Sequence, residues 1–168
     1  LTIIPYQNHL YQIHAWLPVA ASTPAVVEFE IPTSELSLTV PSSLSSVISV
    51  GAYNQMQLSL APFSGKGGGN VQKPDVIAPG VDILVANAGG GYTLRSGTSF
   101  ATPFVSAAAA NLMQWGITDG NDPFLYGERL KAYLTAAADP LPGRNQVPNF
   151  SEGWGRLCAN ASVPESTI

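Results

Sequence analysis

The stretch from residue 95 to residue 115 constrains this chain more than any other. It reads Arg95-Ser96-Gly97-Thr98-Ser99-Phe100-Ala101-Thr102-Pro103 and then runs to about Gln114-Trp115 with few polar residues. Phe100, Val105, Leu112, Met113 and the alanines between them leave the predicted helix without a polar face. A helix that is apolar all round belongs in the middle of a domain, and Gly116 is placed to end it. Ser99 sits where a loop turns into that helix. The N-terminus of a helix carries unpaired N–H groups and a partial positive charge, and both favour an oxyanion forming beside it. Pro103 cannot return a hydrogen bond to the Ser99 carbonyl, so the helix is expected to start distorted.

The rest of the chain alternates between extended and helical patterns. Over residues 9–19, Tyr11, Ile13, Ala15 and Leu17 fall on one face at period two, which predicts a half-buried strand ended by Pro18. A second short strand is expected over 26–31, and the Ser/Thr/Leu-rich stretch 34–46 reads as a connection. Val47-Ile48-Ser49-Val50-Gly51-Ala52 has the continuous apolar character of a strand buried on both faces. Residues 59–69 read as loop, and 82–86 as another short apolar strand. Asp122 followed by Pro123 predicts the capped start of a second helix, with a stripe of Tyr126, Leu130, Tyr133, Leu134 and Ala137 and an end near Ala138. Gly153 to Leu157 reads as a last extended piece. The pattern is α/β from about residue 41 onward, with a leading β segment over 1–40.

Bulk properties exclude several classes. A chain of 168 residues with 45% hydrophobic and 11% charged residues is a folded one. A net charge of −4 argues against a nucleic-acid surface, and no apolar run reaches the roughly 20 residues of a membrane span. The single Cys158 rules out an internal disulfide and a cysteine metal site. Gly65-Lys66-Gly67-Gly68-Gly69 and Gly89-Gly90-Gly91 lack the Lys-Ser/Thr of a phosphate loop and read as surface loops. Asp119-Gly120-Asn121-Asp122 lacks the alternation and terminal Glu of an EF-hand. Leu1 is not Met, and no leader pattern precedes the first predicted strand, so the sequence is read as a piece or processed product of a longer protein.

Gly97-Thr98-Ser99-Phe100-Ala101-Thr102-Pro103 resembles the serine motif of subtilisin-like proteases, the subtilases, whose pattern is Gly-Thr-Ser-x-Ala-(Ser/Thr)-Pro. Val47 to Ala52, Ala61-Pro62-Phe63-Ser64-Gly65, Lys73-Pro74-Asp75-Val76-Ile77-Ala78-Pro79-Gly80 and Gly153-Trp154-Gly155-Arg156-Leu157 resemble further elements of that family, in the family's order. Trp16-Leu17-Pro18, Leu38-Thr39-Val40-Pro41-Ser42, Ser49 to Asn54 and Leu125-Tyr126-Gly127-Glu128 are similar to the branch with a jelly-roll insertion, which includes the spore-germination (Csp-type) proteases.

The resemblance implies that residues 41–168 are the C-terminal part of a subtilisin-like catalytic domain and that residues 1–40 are the last strands of the insertion. It implies a serine endopeptidase in which Ser99 is the nucleophile and its N–H one oxyanion donor, with Arg95, Ser96, Gly97 and Thr98 bordering the substrate. It implies no metal or cofactor in the chemistry, and no residue pattern here supports a structural calcium. A subtilase orders its triad Asp, His, Ser. His9 and His14 are the only histidines, and neither is followed by Gly-Thr; the oxyanion Asn is not visible either. The expected partners are therefore a protein or peptide substrate and an upstream part of the same protease that supplies Asp, His and Asn, and this chain alone is expected to be inactive. The family likeness points to a secreted or spore-associated bacterial protein and leaves the compartment open. A non-catalytic subtilase-like binding or regulatory module is the alternative.

Overall fold

A computed structural model of the chain describes residues 15–17, 28–144 and 146–164. The chain divides into two compact units, Leu1–Thr33 and Ser34–Ile168. In the first, only 15–17 and 28–33 are described, and they form no regular element. The predicted strands over 9–19 and 26–31 otherwise lie outside the described residues. The second unit holds every element discussed below.

The second unit opens with turns, as its Ser/Pro-rich composition predicts, and Leu36 and Ser37 donate to the carbonyls of Gly67 and Lys66, both at 3.0 Å. Strand β1, Val50–Asn54, begins three residues later than the apolar run predicts. It pairs in parallel with β3, Val76–Pro79, and antiparallel with the two-residue β2, Ser59–Leu60. The closing segment extends this sheet on the far side of β3: Ile77 donates to Gly155 and Leu157 donates to Ile77, both at 2.8 Å. Alternation along β1 and β3 puts Ala52, Val76 and Ala78 on the side where α1 packs. All three are fully buried small or β-branched side chains, which lets a helix approach the sheet closely.

The chain then forms a hairpin of β4, Ile83–Ala86, and β5, Tyr92–Arg95. Gly89-Gly90-Gly91 are its exposed loop, closed by Asn87 donating to Gly91 at 3.0 Å. Strand β4 was expected; its exposure at Leu84 and Ala86 and the partner strand β5 were not.

Helix α1, Thr98–Met113, carries Pro103 without interruption. Pro103 comes early enough to forfeit only the bond to the Ser99 carbonyl, and the helix stays α-helical there, contrary to the expected distortion. Only one stripe of it is covered: Ala101, Val105, Ala108 and Leu112, at spacings of four, three and four. Phe104, Ala107, Ala110 and Met113 are exposed, so α1 is not surrounded as its composition predicts. Gly116 does not stop it either. The helix widens into a π-helical turn, Gln114–Thr118, in which Gly116 is buried. A Cβ on Gly116 would come within 2.6 Å of Leu125 Cδ2, so the glycine serves close packing rather than termination.

Helix α2, Gly127–Ala136, buries Leu130 and Leu134. It starts four residues after the predicted Pro123. Asp122 does not cap it. The Asp122 carboxylate accepts from Phe124 N–H at 3.4 Å and reaches across to Arg129 Nε at 2.6 Å and the Tyr133 hydroxyl at 3.3 Å. Two donors from α2, Arg129 and Tyr133, draw the carboxylate away from a capping position. A last short helix, α3, spans Ala159–Ser162.

Candidate active site

The turn into α1 is braced from below by the end of β3. Gly80 donates to the Tyr53 carbonyl at 3.1 Å and accepts from Gly97 N–H at 2.8 Å. The strand end and the start of the helix therefore share one peptide layer. A Cβ on Gly80 would lie 2.7 Å from Ala52 Cβ, 3.0 Å from the Gly97 oxygen and 3.3 Å from Ala101 Cβ. This explains the glycine after Ala78-Pro79: backbone must meet backbone there.

On the other side, the hairpin base is locked. Asp82 N–H donates to Ser96 Oγ at 2.9 Å, and that hydroxyl donates on to Asp82 Oδ1 at 3.3 Å. Ser96 thus positions the strand-to-helix turn, and its hydroxyl is committed to Asp82.

Ser99 is exposed in the first turn of α1. Gly97 N-caps the helix without a side-chain bond, and Phe100 N–H is used by the Gly97 carbonyl at 3.1 Å. Ser99 N–H meets no acceptor among the described residues. The site thus pairs an accessible hydroxyl with an unspent amide of the same residue at the positive end of a 16-residue helix. Thr98 and Gly97 are half-buried beneath it, and Arg95 is exposed at the end of β5. The chain's two histidines lie outside the described residues. Among the described residues, no group of three or more His, Cys, Asp or Glu could hold a metal ion, and no helix is long and apolar enough to cross a membrane.

At the opposite end of β3 from this turn lies an ionic cluster that the sequence did not announce. Asp75, just ahead of β3, is buried and accepts from Ser49 N–H and from Lys73 Nζ, both at 2.6 Å. Lys73 also donates to the Val47 carbonyl at 2.8 Å. Lys131 on α2 lies 3.8 Å from the second Asp75 oxygen and donates to the Ser45 carbonyl. Lys73 and Asp75, the buried charges of this cluster, pair with each other, the condition under which burial is tolerated. A second buried acid, Glu152, accepts from Leu141 N–H and Asn149 Nδ2, each at 3.1 Å, and so shapes the segment that pairs with β3. The one available sequence signal was Lys73 and Asp75 flanking a proline before an apolar strand. At the end of β1, burial pushes the Tyr53 phenol up, against the opposing charge of Arg156.

Residues 18–155 match the subtilase family (Peptidase_S8). The cell wall-associated protease of Bacillus subtilis (strain 168) is 37% identical over 107 residues, 64% of this chain and 11% of that protein. The intracellular serine protease of Paenibacillus polymyxa is 36% identical over 104 residues, 60% of this chain and 30% of that protein. Among solved structures, the CspB protease of Clostridium perfringens superposes with a TM-score of 0.75 and 40% identity, covering 79% of this chain and 29% of that one. The chain thus spans from about a tenth to under a third of the length of these relatives.

Proposed function

The chain belongs to the subtilase family, and on that premise we propose that it is the serine-bearing part of a subtilisin-type endopeptidase, with Ser99 as nucleophile. The observation that carries this reading is the exposed Ser99 hydroxyl beside its own free N–H, on a turn held by the Gly80–Gly97 hydrogen bond. A histidine supplied by another part of the protease takes the hydroxyl proton as Ser99 Oγ attacks the peptide carbonyl. The tetrahedral oxyanion is held by Ser99 N–H and a second donor. Collapse expels the amine, which takes up the proton from the histidine. Water then releases the acyl group from Ser99. Removing one oxyanion donor costs about 3 kcal/mol of barrier. Arg95 and Ser96 border the leaving-group side, with Gly97 and Thr98 beneath the nucleophile.

We further propose that residues 41–168 form the C-terminal part of the catalytic domain, that residues 1–40 end an inserted β element, and that this chain is inactive without the rest of the protease. The bare face of α1, with Phe104, Ala107 and Met113 in water, supports this, because a helix this apolar belongs in the middle of a domain. The triad Asp and His and the oxyanion Asn then come from residues this sequence does not contain.

The test is Ser99→Ala in the complete protease. Turnover falls by at least ~10⁴-fold, fluorophosphonate labelling disappears, and the circular dichroism spectrum is unchanged. A complete wild-type protein that folds but neither labels nor cleaves peptides would overturn the reading and favour a non-catalytic subtilase-like module.

A further inference from the structure

We propose that the cleft between Lys66 and Arg144 binds an acidic peptide segment, with one carboxylate held by the two cations. The cleft has a volume of about 660 Å³ and lies within the second unit. Its walls are Ser34 with Glu35, Lys66 with Gly67, and the segment that carries Arg144 and Phe150. Gly67 donates to the Lys73 and Phe150 carbonyls at 3.0 and 2.9 Å. Lys73 precedes β3, whereas the nucleophile turn is braced at Gly80, past the other end of that strand. The cleft is therefore separate from Ser99, and its occupation does not depend on the protease reading.

Both cations stand on fixed backbone. Lys66 N–H donates to Ser37 Oγ and its carbonyl accepts from Ser37 N–H, each at 3.0 Å. Its ammonium makes no ion pair among the described residues and reaches only Ser34 Oγ, at 3.4 Å. Arg144 N–H donates to the Leu141 carbonyl at 3.0 Å, and Leu141 N–H donates in turn to the buried Glu152. The Arg144 guanidinium lies 3.6 Å from Glu152 Oε1, longer than a hydrogen bond, and its side chain is half exposed. Of three ammonium and five guanidinium donors, most are left for a ligand.

The lining selects the occupant. Lys66 and Arg144 against Glu35 give it a net charge of +1, which suits one carboxylate and disfavours a polyanion. A guanidinium pairs bidentately with a carboxylate, and an ammonium adds a point charge. The volume falls in the range of organic-ligand sites, about 300–1,000 Å³, so a lone inorganic anion would leave most of the cleft empty. The exposed ring of Phe150 offers apolar surface beside the charges. An acidic residue with an apolar neighbour along a peptide supplies both features.

The experiment titrates the complete protease carrying Ser99→Ala with an acetylated, amidated octapeptide that has a central Phe-Glu pair, and with its Phe-Gln counterpart, by isothermal calorimetry. The Glu peptide is expected to bind at least about threefold more tightly, and the advantage shrinks as salt is raised. Lys66→Gln and Arg144→Gln each reduce the advantage, and the double variant removes it. Equal binding of the two peptides, or binding of neither, overturns the proposal. So does a preference for Glu that Lys66→Gln leaves unchanged, since the peptide is then held elsewhere. Inorganic phosphate that binds this cleft more tightly than the Glu peptide overturns the peptide assignment. Should Arg144→Gln fail to fold, with Glu152 left buried, Lys66→Gln decides alone.

Discussion

Gly80 and Gly97 meet backbone to backbone. The Gly97 amide donates to the Gly80 carbonyl at 2.8 Å, and a Cβ on Gly80 would lie 3.0 Å from the Gly97 oxygen. The end of the central parallel pair and the start of α1 are thus one rigid piece, and Ser99 takes its position from β3 as much as from α1.

Gly80→Ala is expected to lower stability by about 1–3 kcal/mol, the usual cost of overpacking, because Ala52, Ala101 and the Gly97 carbonyl have no flexible atom to give way. Activity of the complete protease should fall by more than the loss of folded protein explains, since the added methyl displaces the turn that carries Ser99. Thermal denaturation and active-site titration on one preparation separate the two effects. A variant with wild-type melting temperature and turnover would refute the brace.

Leu112→Ala removes a fully buried side chain from the single covered stripe of α1. The expected cost is about 2–5 kcal/mol. Met113→Ala, on the exposed side, should cost far less in this chain studied alone. In the complete protease the gap between the two should narrow if that side is covered. Urea unfolding of both variants in both contexts measures the difference.

Asp122 gives a pH dependence. Burial pushes its carboxyl up, but the hydrogen bond and charge of Arg129, with Phe124 N–H and the Tyr133 hydroxyl, outweigh burial and hold it below its ordinary value of 3.8. A depressed folded-state value contributes stability that is fully present above 3.8 and is lost as pH falls below it through the folded value. Asp122→Asn is therefore expected to melt lower near neutrality and to lose less of its melting temperature than wild type on acidification below that point. Equal losses in the two proteins would show that Asp122 carries no linkage.

Much of the site was legible because its signals are local. The Gly-Thr-Ser motif, the apolar run around β1 and the Ala-Pro-Gly at the end of β3 each need only a few neighbouring residues to be recognised. The errors share a different cause. The run of three glycines read as a loop hid the fact that Tyr92–Arg95 returns as a strand. Asp122 looked like a helix cap, but Arg129 and Tyr133, seven and eleven residues away, claim its carboxylate. Gly116 looked like a stop signal and is instead a contact with Leu125. The apolar character of α1 was read correctly, yet composition cannot say whether the elements that cover a helix lie in the same stretch of chain.

The cluster of Lys73, Asp75 and Lys131 bears on where the chain resists proteolysis. A protease cleaves segments that can be drawn out of the fold, so susceptibility follows the free energy of local opening. Residues 45–49 form no strand or helix and would be a natural place to be cut, but Lys131 holds the Ser45 carbonyl, Lys73 the Val47 carbonyl and Asp75 the Ser49 amide. Opening that segment strands buried charges, which makes proteolysis there slow. Lys131→Met should expose the segment to nicking, with fragments ending between residues 41 and 49, and limited proteolysis followed by mass spectrometry would find them or show that the loop is guarded by something else.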